Sequence, residues 1–218
     1  MNFDSYTHYV FDFDGTLFDT APDVVHSLQK TLQHYGYATD AVNVSLLGPV
    51  LEKILEHLCP ASTEEERAYM VQYFRNDYRQ CGFELTIPFP GVPALLNRLR
   101  HAEKSLYIAT NKPRQLTHAI LEYKGFTHFF TDVVCCDSGE TKLKKYEMLS
   151  LLQRRFAFLP SEGIMIGDTA EDIRSGKKAE MATCAAYYGY GTQESLLAEQ
   201  PDFAVPSADW LTISPLRD

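Results

Sequence analysis

The chain has 218 residues, 45% of them hydrophobic, and a formal net charge of −9 at pH 7. That length can bury a sizeable core and leaves room for a smaller insert, while the acidic surplus argues against nucleic acid or an anionic membrane as a partner, since both attract basic surfaces. There is no run of about 18 apolar residues to span a bilayer and no basic-then-apolar start of the secretory kind, and the five cysteines (59, 81, 135, 136 and 184) show no CxxC spacing, so the expectation is a cytoplasmic protein with reduced thiols and no zinc site.

The first predicted element is the run HYVFDF at 8–13, nearly continuous in apolar residues as a strand buried on both faces should be. It ends in Asp12 and Asp14, whose spacing of two puts both carboxylates on one face of the strand. Two anions held that close repel, and sharing a divalent cation or a proton relieves them. Gly15 lets the chain turn sharply, and Thr16 offers a hydroxyl and a backbone amide to an anionic oxygen. A strand-ending Asp-Gly turn without chemistry accounts for the same residues.

Residues 20 to about 83 carry helical patterns and no convincing strand. The first helix is expected to start at TAPD, with Thr20 as cap, Pro22 in the first turn and Asp23 as the acid of a capping box. Val24, Val25, Leu28 and Leu32 form its apolar stripe, and Gly36 ends it. A second helix spans 50–58, and a third opens on a Ser62–Glu65 box and carries Tyr69, Met70, Tyr73 and Phe74 inward. The implied division is a core of residues 1–16 and 87–218 with a helical cap at 17–86 inserted after the first strand. An insert at a strand's carboxyl end lies over the crevice where open α/β sheets bind ligands.

Beyond residue 92 the pattern alternates. Amphipathic stretches at 92–104, 114–125, 146–156 and 170–180 separate apolar runs at 105–110, 131–136, 163–168 and 183–188, with a weaker edge strand at 202–205. This predicts an α/β fold, a doubly wound parallel sheet with right-handed crossovers. The run at 105–110 ends in Thr110, Asn111 and Lys112; that at 163–168 ends in Gly167, Asp168 and Thr169, with Asp172 four residues past Asp168. Gathered at one edge of a parallel sheet, these clusters and the Asp12–Asp14 pair become one pocket.

The set DFDGT, TN, a lysine and GDTAED resembles the four motifs of the haloacid dehalogenase superfamily, and the longer series DFDGTLFDT, PGVPALLNRL, TNKP, GDTAEDIRSGKKA and YGYGT resembles its phosphoglycolate phosphatase branch along nearly the whole chain. The resemblance implies a Rossmann-like core and a phosphatase that acts through an aspartyl-phosphate. In it Asp12 is the nucleophile and Asp14 the general acid and base. Mg2+ is held by Asp12, the main-chain carbonyl of Asp14 and Asp168, and Asp172 binds a metal water or orients its neighbours. Gly15, Thr16, Thr110 and Asn111 hold the transferring phosphoryl group. Lys142, Lys144 and Lys145 compete for the lysine motif; Lys145 is preferred because KYEML matches a K-x-E-aliphatic-aliphatic form at a helix start, leaving the other two as solvated charges.

In relatives a loop between the first two cap helices contributes to selectivity, which points here to Gly48 and Pro49; Leu47 stands where several phosphoglycolate phosphatases carry arginine, which counts against glycolate phosphate itself. The expected partner is a small phosphorylated metabolite, and the expected state a monomer or homodimer. Rival readings are a sugar-phosphate mutase, a nucleotidase or pyrophosphatase of the same superfamily, and an inactive binding module. The YYGYG stretch at 187–191 reads equally as a loop near the site or as a plain turn.

Overall fold

The first strand, β1 (His8–Phe11), is apolar all round because it is covered all round: Tyr9, Val10 and Phe11 are wholly buried. The computed structural model describes residues 3–207. After β1 come the two-residue strand β2 (Phe18–Asp19) and three helices, α1 (Ala21–His34), α2 (Leu51–Leu58) and α3 (Glu64–Gln80). The chain returns through β3 (Ile87–Pro88), which pairs antiparallel with β2. The rest alternates as α4 (Val92–His101), β4 (Ser105–Thr110), α5 (Arg114–Tyr123), β5 (Asp132–Cys135), α6 (Lys145–Phe156), β6 (Gly163–Gly167), α7 (Ala170–Lys178), β7 (Ala182–Ala186), α8 (Gln193–Ala198) and β8 (Phe203–Val205).

Six strands form one sheet in the order β5-β4-β1-β6-β7-β8, and every pairing in it is parallel. Alternate residues enter opposite layers. Tyr9, Phe11, Leu106, Ile108, Ile164 and Ile166 face one core, and Val10, Tyr107, Ala109 and Met165 face the other with Leu149 and Leu152 of α6. This double burial is why the strands read as apolar runs and not as alternating ones. Each aliphatic side chain so buried contributes about 1.5–3 kcal/mol. Register sets the site: His8 lies level with Ser105 and Gly163, and Phe11 with Ile108 and Ile166, so the carboxyl ends of β4, β1 and β6 fall within two residues of one another. The strand order turns about β1, the position where open α/β sheets leave a crevice.

Several expectations shift. Thr20 stands at the N-cap of α1 but makes no side-chain capping bond, and Asp23 does not close a box; its Oδ2 instead accepts from the N–H (2.7 Å) and hydroxyl (2.8 Å) of Thr86 on the returning segment. The cap of α3 is Thr63, whose hydroxyl accepts from Glu66 N at 3.1 Å, one residue past the expected Ser62–Glu65 pair. Tyr69 is 55% exposed, so the inward face of α3 is Met70, Val71, Phe74 and Tyr78. The β2–β3 ribbon and α8 carried too few residues for a periodic signal. The weak run at 202–205 is the edge strand β8. All five cysteines are free, and no helix among the described residues is long and apolar enough to cross a membrane.

Candidate active site

Asp12 follows β1 directly, and its N–H still bonds Ile166 O at 2.9 Å, which holds it between β4 and β6. Asp168 leaves the end of β6, and Asp172 sits in the first turn of α7. Asp12, Asp168 and Asp172 each present a carboxylate oxygen within 4.8 Å of the others. All three are buried. The N-terminus of α7 fixes Asp172: its Oδ2 accepts from Thr169 N (3.0 Å) and Thr169 Oγ1 (2.6 Å) in a reciprocal capping box.

The cation inside this cluster is Lys145, the first residue of α6 and 2% exposed. Its ammonium lies 2.5 Å from Asp12 Oδ1 and 2.9 Å from Asp172 Oδ1, and donates to Ala109 O at 3.0 Å. Lys142 instead reaches Glu52 of α2 at 2.6 Å, and the Lys144 backbone N–H is bonded by Glu147. Burial alone would lower the Lys145 ammonium; the Asp12 and Asp172 carboxylates override it and hold it above its ordinary value. The carboxylates pay in the opposite direction. Burial raises Asp12 well above the usual range despite Lys145, and burial with the neighbouring Asp172 pushes Asp168 up to about 7. Three buried carboxylates against one ammonium leave an excess of negative charge, and all donors are hard oxygens, a set that suits Mg2+ or a similar cation.

Asp14 belongs to a separate group. Its Oδ1 accepts from Lys112 Nζ at 2.8 Å and from Thr20 Oγ1 at 2.5 Å, which explains why Thr20 is not free to cap α1. Lys112 is 8% exposed, and its ammonium stands 4.8 Å from the Tyr78 ring centre and 5.9 Å from that of Phe13. Burial works against its charge, but the Asp14 carboxylate prevails and raises it. No role for Lys112 was read from the sequence; its place directly after Thr110 and Asn111 was the available signal.

Gly15 and Thr16 serve the cluster from behind. Gly15 has φ +85°, and a Cβ there would overlap the Asp168 carboxylate. The Thr16 hydroxyl, expected to face an anionic ligand, instead donates to Asp168 Oδ1 at 2.8 Å, and Thr16 is fully buried. The YYGYG segment is no plain turn: a Cβ at Gly189 or Gly191 would collide with Asp168, and Tyr190 N donates to Asp168 Oδ2 at 2.8 Å. The Tyr190 hydroxyl accepts from Thr20 N (2.7 Å) and Ala21 N (2.9 Å) and donates to Asp19 Oδ1 (3.0 Å), so one residue ties Asp168 to the segment that enters α1.

Thr110 is buried and its Oγ1 accepts from Lys112 N at 3.1 Å; Asn111 Nδ2 donates to Gly48 O at 3.3 Å, joining a strand end to the α1–α2 loop. Between them lies a cavity of about 100 Å³. Asp12, Asp14, Thr110, Asn111 and Lys112 form part of its wall, and Gly48 and Pro49 line it from the helical side. The structure thus gathers Asp12, Asp168, Asp172 and Lys145 into one cluster, and sets Asp14, Thr110 and Asn111 around the adjoining cavity.

Residues 9–186 match the family model described as haloacid dehalogenase-like hydrolase. A phosphoglycolate phosphatase of Aquifex aeolicus is 32% identical over 90% of each chain, and one of Vibrio vulnificus is 30% identical, again over 90% of each. A solved hydrolase of the haloacid dehalogenase-like family from Streptococcus pneumoniae superposes with a TM-score of 0.83 at 26% identity, covering 94% of this chain and 95% of that one. With the motif residues drawn together at the neighbouring carboxyl ends of three parallel strands, the chain belongs to the haloacid dehalogenase-like hydrolases.

Proposed function

We propose that this hydrolase is a magnesium-dependent phosphatase of a small phosphomonoester and that it works through an aspartyl-phosphate on Asp12. The observation that carries the reading is the buried cluster of Asp12, Asp168, Asp172 and Lys145 opening, through Asp12, onto the cavity. Mg2+, held by Asp12, Asp168 and the main-chain carbonyl of Asp14 with Asp172 orienting the set, would neutralise charge on the phosphoryl oxygens. Lys145 holds Asp12 Oδ1, which leaves Oδ2 to attack phosphorus. The bond from phosphorus to the leaving oxygen breaks as Asp14 delivers its proton to that oxygen. Water then attacks the acyl phosphate and gives its proton to Asp14, releasing inorganic phosphate and restoring Asp12. Lys112 and Thr20 hold Asp14 Oδ1, so its other oxygen carries the proton in both steps. Thr110, Asn111 and the Gly15–Thr16 backbone grip the phosphoryl oxygens, a task of positioning and charge more than of covalent chemistry.

The division into a core of residues 1–16 and 87–218 and a cap at 17–86 fits this reading. The short ribbon of β2 and β3 is where the two chain crossings meet, and movement there would admit water after the first half-reaction. The test is phosphate release from p-nitrophenyl phosphate with and without MgCl2. Turnover that requires the metal and disappears in Asp12→Asn is expected; an Asp12→Asn protein with wild-type activity refutes the nucleophile.

A further inference from the structure

The cavity beside Asp12 and Asp14 is mostly apolar away from the strand ends. Val24 of α1, Leu47 and Val50 of the α1–α2 loop, Ile54 of α2, Phe74 of α3 and Leu116 of α5 line it. A two-carbon leaving group would leave most of that wall facing water. At the same cavity stand two cations that share one carboxylate: Glu52 Oε1 lies 2.6 Å from Lys142 Nζ and 3.5 Å from an Arg75 guanidinium nitrogen. The third cation of the wall, Lys112, is already taken by Asp14. Arg75 Nε is shielded from solvent and has no hydrogen-bond partner among the described residues, while the rest of the Arg75 side chain, 37% exposed overall, and that of Lys142, 55% exposed, remain open to a ligand. An orphaned buried donor within a cluster of surplus positive charge calls for an acceptor from outside the chain.

Resting on the phosphatase reading, we infer that the leaving group of the substrate is an extended, largely hydrocarbon body ending in an anion such as a carboxylate, with the apolar wall covering the body and Arg75 and Lys142 receiving the end. The selectivity of this site then comes from length and from the far charge. Glycolate phosphate, with a single methylene between its ester oxygen and its carboxylate, lacks the hydrocarbon body that this wall would cover.

The experiment is a series of ω-carboxyalkyl phosphates from two to six carbons, each beside the uncharged alkyl phosphate of equal length, with kcat/KM read by phosphate release. Each added methylene should raise kcat/KM about fourfold until the wall is filled, the factor corresponding to one buried methylene. For the longer members the carboxylate should add about tenfold more, in the range of a charge-assisted hydrogen bond. In Arg75→Met that ratio of acid to alkyl substrate should collapse toward one. The chain-length trend in the wild-type protein needs no variant, so a poorly folding Arg75→Met leaves a decisive measurement. A flat or falling trend with length, or a best substrate of two carbons, overturns the inference while leaving the phosphatase standing. Absence of turnover for every member and for p-nitrophenyl phosphate overturns both.

Discussion

Asp168→Asn should make the metal-free protein more stable at alkaline pH, although it removes a proposed metal ligand. The folded chain raises the Asp168 carboxyl from 3.8 to about 7, chiefly by burial and then by the Asp172 carboxylate. An acid raised on folding binds its proton more tightly in the folded chain than in the unfolded one. Its contribution is therefore intact below the unfolded value and is lost as pH climbs toward 7. Three pKa units at 1.36 kcal/mol each make the ionised carboxylate a burden of about 4 kcal/mol by pH 8. Asp168 is fully buried, so solvent screening takes little from that figure.

The amide removes this burden at a cost. Thr16 Oγ1 and Tyr190 N both donate to Asp168, each to a different oxygen, and the single amide oxygen can keep one of them. Losing the other costs about 1–2 kcal/mol. Urea unfolding in EDTA should thus place Asp168→Asn about 2–3 kcal/mol above wild type at pH 8 and near parity at pH 5.5. Excess MgCl2 at pH 8 should bring the wild type back to near parity, since a ligand at a hundred times its Kd adds about 2.7 kcal/mol to the state that binds it. A variant less stable than wild type in EDTA at pH 8, or a difference that does not move with pH, refutes the charge argument.

Lys145→Met strips the one ammonium from the cluster and should cost about 3–5 kcal/mol in EDTA, the penalty of breaking a buried pair; a loss under about 1 kcal/mol in urea melts would show that the carboxylates do not depend on it. Tyr190→Phe leaves the N–H groups of Thr20 and Ala21 without the hydroxyl that receives them, and should destabilise the protein by about 1–3 kcal/mol. Faster hydrogen exchange at the start of α1 is the matching readout, and unchanged protection there would contradict the tie between Asp168 and that segment.

How far the sequence was legible follows from what each residue does. Five of the six sheet strands stood out because burial on both faces demands unbroken apolar runs, while the edge strand β8 gave only a weak one, and the polar ends of β1, β4 and β6 stood out by contrast. Thr20 and Asp23 misled because local capping rules describe isolated helix starts. Here both side chains are drawn away, Thr20 by Asp14 and Asp23 by Thr86, from segments 6 and 63 residues distant in the chain. The Thr16 hydroxyl, expected to meet an anionic ligand, bonds Asp168 instead, since nothing local says that Asp168 will arrive behind it. Lys145 was separable from Lys142 and Lys144 only through the resemblance; all three have the same surroundings in sequence, and in the fold burial and the Asp12 and Asp172 carboxylates set Lys145 apart. Lys112 and Tyr190 went unassigned because their contacts depend on the tertiary arrangement and leave no periodic trace.

The fold gives the two aspartates of one strand end different charge partners, and the different roles proposed for them follow from that. Asp12 enters a buried group with two further carboxylates and a single ammonium, so it remains in electrostatic debt until a cation arrives. Asp14, two residues on, is matched one to one by Lys112 and keeps 23% of its side chain exposed beside the cavity. A site with a cation bound would hold Asp12 ionised and ready to attack, whereas Asp14, paired and open to the cavity, keeps an oxygen available for a proton moving to or from the leaving group. Exchanging the two environments would exchange the proposed roles, and this is why the spacing of two alone does not separate a proposed nucleophile from a proposed acid and base.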